Sequence, residues 1–155
     1  MAFRGQYDCT MDDKGRIKMP SALHKQFSAE DGNRFMIARD IEECLVIYPM
    51  ETWKQEEAKL KKLNLNNTDH RRYMNAITAG LTEVELDSAD RFLVSKTLMK
   101  FLGNAKEIVM LGMLDRIQVW DEKKFTPYNQ ENVANIGQLS NIIGAYLEEK
   151  DKNGA

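Results

Sequence analysis

Apolar and polar residues alternate at two places along the chain with the two-residue period of a strand that buries one face. Phe3, Tyr7 and Cys9 alternate with Arg4, Gln6 and Asp8, and Val84 and Leu86 alternate with Glu83, Glu85 and Asp87. A tight turn follows each run. In the first, Asp13-Lys14-Gly15 supplies turn chemistry, because glycine accepts positive φ and aspartate bonds its own backbone two residues on. Arg16 to Met19 then predicts a second, short strand with its cations on one face, and Pro20 opens a short helix carrying Leu23 and Phe27. Ser95 is a natural N-cap for the matching helix, Lys96 to Leu102, which Gly103 closes. Each half finishes on a predicted hairpin. Phe35–Ala38 and Leu45–Tyr48 turn over Arg39–Cys44, and Ile108–Leu111 and Ile117–Trp120 turn over Gly112–Arg116.

Helical spacing governs the rest. Glu51–Leu63 and Thr68–Ala79 predict two helices separated by Asn64-Leu65-Asn66-Asn67. In the first, Glu56 and Glu57 precede Lys61 and Lys62 on a solvated face. In the second, Tyr73, Ile77 and Leu81 recur every four residues, a face that can pack on a sheet or a neighbouring subunit. After Pro127, the positions Val133, Ile136, Leu139, Ile143 and Leu147 predict one more amphipathic helix, with Glu148–Ala155 as a frayed tail.

The strand and turn elements come twice. Asp12-Asp13-Lys14-Gly15-Arg16-Ile17-Lys18-Met19-Pro20-Ser21-Ala22-Leu23 returns as Asp87-Ser88-Ala89-Asp90-Arg91-Phe92-Leu93-Val94-Ser95-Lys96-Thr97-Leu98, 75 residues on, and the hairpins return at 72 or 73. Trp53 and Phe125 each follow five residues after the aromatic that ends the last strand. Halves of this size cannot bury a core alone, so they are expected to share one. The predicted divisions are a first repeat over 1–54, a helical connector over 55–80, a second repeat over 81–126, and a C-terminal helix and tail over 127–155.

Composition narrows the function classes. No run approaches the ~20 apolar residues that span a bilayer, and no secretory leader pattern opens the chain, so an unsecreted, cytoplasmic protein is expected. Cys9 and Cys44 have no disulfide or zinc spacing and are expected as small core residues. His24 and His70 lack partners at metal-ligand spacing, so no metal is expected. Glu42-Glu43 and Glu56-Glu57 have no nucleophile or base constellation beside them, and there is no glycine-rich phosphate loop. No enzyme activity, cofactor or small-molecule substrate is expected. Twenty-two Lys and Arg against twenty-four Asp and Glu give a net charge of -2, which offers no global attraction to phosphate. Residues 1–39, however, hold seven cations against five anions.

Two Asp-x-x-x-Arg motifs, each on a strand-turn-strand before a short helix and a hairpin, resemble the swapped-hairpin domain of AbrB-type regulators and the MraZ family. The likeness covers roughly residues 1–126. Its carriers are Phe3-Arg4-Gly5, Asp12-x-x-Gly15-Arg16 leading to Pro20, Leu45 to Pro49 followed by Trp53, Arg71-Arg72-Tyr73, and Ala79-Gly80 before Glu83-Val84-Glu85-Leu86-Asp87. The resemblance implies an α+β fold: a double-split β-barrel of two swapped-hairpin repeats in one chain, with connecting and peripheral helices. It also implies a ring-shaped homo-oligomer that represses transcription from repeated promoter elements upstream of division and cell-wall genes, in the cytoplasm at the nucleoid. The second copy departs from the family pattern, with Asp90 and Ser95 where the turn glycine and strand-ending proline belong.

Arg16, flanked by Lys14 and Lys18, is the first candidate for contact with double-stranded DNA, since the planar guanidinium pairs with phosphate oxygens or a guanine edge. Arg4 joins that cationic face if the first two strands pair as a hairpin. Arg91 is the second-copy counterpart, with Asp90 beside it to weaken its field. Asp12 and Asp87, which phosphate would repel, are expected with Gly15 to structure the turns. The rival expectation is an oligomeric scaffold or antitoxin-like partner binder on the same fold, with no preference for its own promoter.

Overall fold

A computed structural model describes residues 2–154; Met1 and Ala155, which end the first and last predicted segments, lie outside the described residues. The strands are β1 (Phe3–Thr10), β2 (Arg16–Lys18), β3 (Arg34–Arg39), β4 (Leu45–Pro49), β5 (Thr82–Glu85), β6 (Arg91–Leu93), β7 (Glu107–Leu114) and β8 (Ile117–Asp121). The helices are α1 (Ser21–His24), α2 (Met50–Leu60), α3 (Thr68–Thr78), α4 (Lys96–Phe101), α5 (Glu122–Ala134) and α6 (Ile136–Lys152). Local chemistry sets several ends. The Asn67 side chain accepts from the backbone N–H of Asp69 at 2.9 Å, and the Ser95 hydroxyl accepts from that of Leu98 at 3.3 Å, so α3 and α4 begin on capped turns.

Residues 1–122 and 123–155 form separate compact units. In the first, the antiparallel order β1-β7-β8-β4-β3-β5 makes a six-stranded sheet, and β2 and β6 make a two-stranded ribbon. The two repeats exchange strands. The first strand of each copy pairs with the third strand of the other, β1 with β7 and β5 with β3. Equivalent strands meet as β4 with β8 and β2 with β6. Only the hairpins β3–β4 and β7–β8 lie within a copy. Equivalent residues pair with each other, Val46 with Gln118 and Ile17 with Phe92, so a pseudo-two-fold relates the halves. Neither half could satisfy its backbone groups alone.

The core lies between sheet and ribbon and draws on both copies. Phe3, Phe27, Phe35 and Phe92 form a chain of ring contacts with centroids 5.0, 5.7 and 5.4 Å apart, around which Ile17, Leu23, Leu98 and Val119 are buried. The central strands β4 and β8 are buried along nearly their whole length, as their largely apolar sequences require. Their one buried polar side chain is satisfied: Gln118 Nε2 donates to Asp40 at 3.0 Å and its Oε1 accepts from Trp120 Nε1 at 3.0 Å. The β7–β8 turn docks on α2, where the Thr52 hydroxyl donates to Asp115 O at 2.8 Å and Arg116 reaches Glu56 at 3.2 Å.

The C-terminal segment departs from the sequence expectation in three ways. Helix α5 starts at Glu122, not after Pro127, and includes that proline. Pro127 is the sixth residue of the helix, so its ring forgoes the one bond that an N–H there would make to the Lys123 carbonyl, and burial of Phe125 two residues earlier helps offset that cost. The single helix expected from Val133 to Leu147 is broken at Asn135. The segment from Glu148 is not frayed: α6 runs to Lys152, with Lys150 and Lys152 in its last turn, where cations complement the helix dipole.

Candidate nucleic-acid interface

The ribbon is built from the two most similar segments of the chain. Its register sets Arg16 opposite Leu93, Ile17 opposite Phe92 and Lys18 opposite Arg91. Ile17 and Phe92 are buried, so the alternation of side chains along a strand places Arg16, Lys18, Arg91 and Leu93 together on the outward face. Three cations from two copies thereby share a surface two residues wide, with Leu93, 54% exposed, as its single apolar member.

Each arginine is held by a turn of the same design. Asp12 Oδ1 accepts from the backbone N–H of Lys14 at 3.0 Å and of Arg16 at 2.9 Å, while Oδ2 accepts from Arg16 Nε at 2.7 Å. Asp87 repeats this with Ala89 N at 2.9 Å, Arg91 N at 2.9 Å and Arg91 Nε at 3.0 Å. The backbone N–H of Arg16, then its guanidinium and the N–H of Lys14, hold the Asp12 carboxyl below its ordinary value; the Arg91 N–H does the same at Asp87. Both carboxylates are therefore ionised at neutral pH, and each orients its arginine through Nε rather than through the terminal Nη fork that makes bidentate pairs with phosphate or guanine.

The turns are also locked across the repeats. Val94 N–H donates to Gly15 O at 2.9 Å, and Met19 N–H donates to Asp90 O at 2.8 Å. Gly15 has φ +88 and Asp90, its counterpart, φ +60. The second copy thus keeps the left-handed backbone without glycine, which aspartate tolerates better than most residues. The Asp90 carboxylate lies 3.8 Å from His24 Nδ1.

Lys14 is exposed at the tip of the first turn. Arg4 is elsewhere. Strand β1 pairs along all eight residues with β7, and the residue that follows it, Met11, forms a single bridge with Ile17 of β2. The hairpin that would have carried Arg4 to the cationic face does not form, and at ~3.3 Å per residue Arg4 lies roughly 20 Å along the strand from that bridge. In its place the fold brings Lys106, whose Nζ lies 2.8 Å from Asp13 beside the first turn, with its backbone O accepting from Met11 N at 2.8 Å. Nothing local marks Lys106 in the sequence; its place depends on the exchange of β1 and β7. Arg116 is structural, stacked on the Tyr48 ring at 5.2 Å and paired with Asp115 and Glu56. Among the described residues no group of three His, Cys, Asp or Glu side chains is placed to hold a metal ion.

The sequence model of the family described as "MraZ protein, putative antitoxin-like" matches residues 2–75 and 77–140, one match for each repeat. The chain belongs to the MraZ family. It is 37% identical over 144 residues to the transcriptional regulator MraZ of Clostridium beijerinckii, covering 92% of this chain and 99% of that one. It is 38% identical over 131 residues to the protein of the same name from Clostridium tetani, covering 84% and 89% of the two chains. The Alkaliphilus metalliredigens protein, also named transcriptional regulator MraZ, is 34% identical over 139 residues, covering 90% and 94%. Membership of the MraZ family covers both copies of the Asp-x-x-x-Arg turn and the ribbon between them. Among the described residues no helix is long and apolar enough to cross a membrane.

Proposed function

We propose that this chain is a sequence-specific DNA-binding transcriptional regulator, a repressor of its own division and cell-wall gene cluster, that acts as a ring-like oligomer on repeated promoter elements. The observation that carries the proposal is the β2–β6 register, which aligns Arg16, Lys18 and Arg91 on one outward face while carboxylates fix two of them. Antiparallel ribbons of this width fit a major groove, and arginine reads guanine O6 and N7 there. We further propose that sheet and ribbon close as a double-split barrel, which would make that face rigid. A net charge of -2 gives one subunit little general affinity for DNA; a ring that presents several ribbons to adjacent repeats raises the effective concentration of each. The names of the relatives support a regulatory role.

Fluorescence anisotropy with a repeat-containing fragment from the chain's own upstream region tests this reading. Binding should exceed that to random DNA, weaken with salt, and lose both affinity and about one unit of salt slope in Arg16→Ala. Equal binding to random DNA would favour the scaffold reading. An intact oligomer whose Arg16→Ala variant keeps affinity and slope would remove Arg16 from the interface.

A further inference from the structure

The outward face of the ribbon is asymmetric, although the pseudo-two-fold that relates the repeats passes through it. Arg16 and Arg91 are equivalent positions, but the residue two places on is Lys18 in the first copy and Leu93 in the second. Backbone bonds fix which side chains are neighbours. Val94 N–H donates to Gly15 O and Met19 N–H to Asp90 O, so Gly15 with Val94 and Met19 with Asp90 are hydrogen-bonded pairs. Alternation then makes Arg16 with Leu93, and Lys18 with Arg91, non-hydrogen-bonded pairs, in which side chains stand closest. The backbone N–H groups of Arg16 and Arg91 agree, since each is bonded away from the ribbon, to Asp12 and Asp87. Leu93, 54% exposed, therefore stands with its side chain beside that of Arg16.

We infer that Leu93 packs against the 5-methyl group of a thymine in the major groove, next to the base pair that Arg16 contacts, and so selects sequence rather than adding general affinity. The inference rests on the proposed DNA binding and deepens it. The surroundings of Leu93 decide its partner. Arg16, Lys18 and Arg91 share its face, so what meets that face is anionic. One leucine is well below the roughly few hundred Å² of apolar surface that marks a protein-docking patch. The anionic partner then offers an apolar spot of about methyl size, and on the base edges of a duplex major groove the thymine methyl is that group. Spacing agrees. Non-hydrogen-bonded cross-strand neighbours have Cβ atoms roughly 5 Å apart and successive bases stack about 3.4 Å apart, so Arg16 and Leu93 reach adjoining base pairs. The other pair suits phosphate: Lys18 and Arg91 are like charges at the closest cross-strand position, a repulsion that an anion between them relieves. The recognised element is thus directional, its Leu93 end differing from its Lys18 end. A lysine at position 93 would add general affinity and lose this discrimination.

Fluorescence anisotropy of the full chain on the repeat-containing fragment from its own upstream region tests the inference. Each thymine of the repeat is replaced in turn by deoxyuridine, which removes the methyl group and nothing else. At one position per repeat the replacement should weaken wild-type binding about fourfold, the value of one buried methyl. Leu93→Ala should bind the thymine fragment at least about fourfold more weakly than wild type and should not distinguish it from the deoxyuridine one. Its salt slope should match the wild type, because no charge is lost. A wild type indifferent to deoxyuridine at every position, or a Leu93→Ala variant that keeps the full deoxyuridine penalty, would overturn the inference. Either result with Arg16→Ala still losing affinity leaves the DNA reading standing, whereas a wild type that binds the fragment no better than random DNA removes both.

Discussion

Replacing Gly15 with alanine tests whether each turn is locked against the opposite repeat. Gly15 has φ +88, and a Cβ there would lie 2.5 Å from Met99 Sδ and 2.9 Å from Val94 O. Met99 can move its flexible end. Val94 O cannot move freely, because the same residue's N–H is bonded to Gly15 O at 2.9 Å and β6 runs directly into it. The left-handed backbone costs an alanine roughly 1–2 kcal/mol and the crowding adds about 1–3, a total near 2–5 kcal/mol. For a chain of this length that is a fall in Tm of roughly 5–15 °C. Gly32→Ala is the control. It has φ +59 but open space around the added carbon, so it should lose only the backbone contribution, about 1–2 kcal/mol. Urea titration and thermal melts at one fixed protein concentration measure both, since any association of subunits would make stability depend on concentration. Equal losses in the two variants would refute the idea that the first turn is packed against the second copy.

Three further outcomes follow from the same geometry. Leu93→Lys, which gives the second copy the cation that Lys18 supplies to the first, should strengthen DNA binding and raise the salt slope by about one; an unchanged slope would place Leu93 outside the contact. Asp12 and Asp87 have lowered pKa values when folded, so the stability they lend is full above the ordinary value of 3.8 and is lost as pH falls through the lower folded values. The stability gap between wild type and the Asp12→Asn, Asp87→Asn double variant should therefore be constant near neutrality and shrink in acid, and a gap that widened in acid would contradict the hydrogen-bond pattern. Burial pushes the Cys9 thiol up to about 11 and raises Cys44, which is fully buried, further still; a disulfide reagent near pH 8 should label neither promptly until the chain unfolds.

Much of this fold is legible without coordinates because its signals are local. Alternation at Phe3 to Cys9 reports a strand, Asp87 to Arg91 repeats Asp12 to Arg16, and Ser95 followed by Gly103 brackets a helix. The relation between Asp12 and Arg16 is equally local, since both lie within one turn. The second-copy turn shows the limit: Asp90 reads as a departure from glycine, yet the backbone takes the same left-handed path, held by the Met19 N–H from the other repeat.

By itself the sequence determined the strands, the two matched turns and the burial of one face of each strand, because these depend on the spacing of side chains along a few residues. Tertiary structure decided which strands meet. Pairing is governed by burial of the shared apolar face and by hydrogen-bond satisfaction between distant segments, which periodicity does not encode. That is why β1 left β2 for β7 and placed Arg4 away from the ribbon. The same exchange brought Lys106 to the first turn and made Arg91 the neighbour of Lys18. The cationic face belongs to neither repeat, and exists only because the two are interlocked.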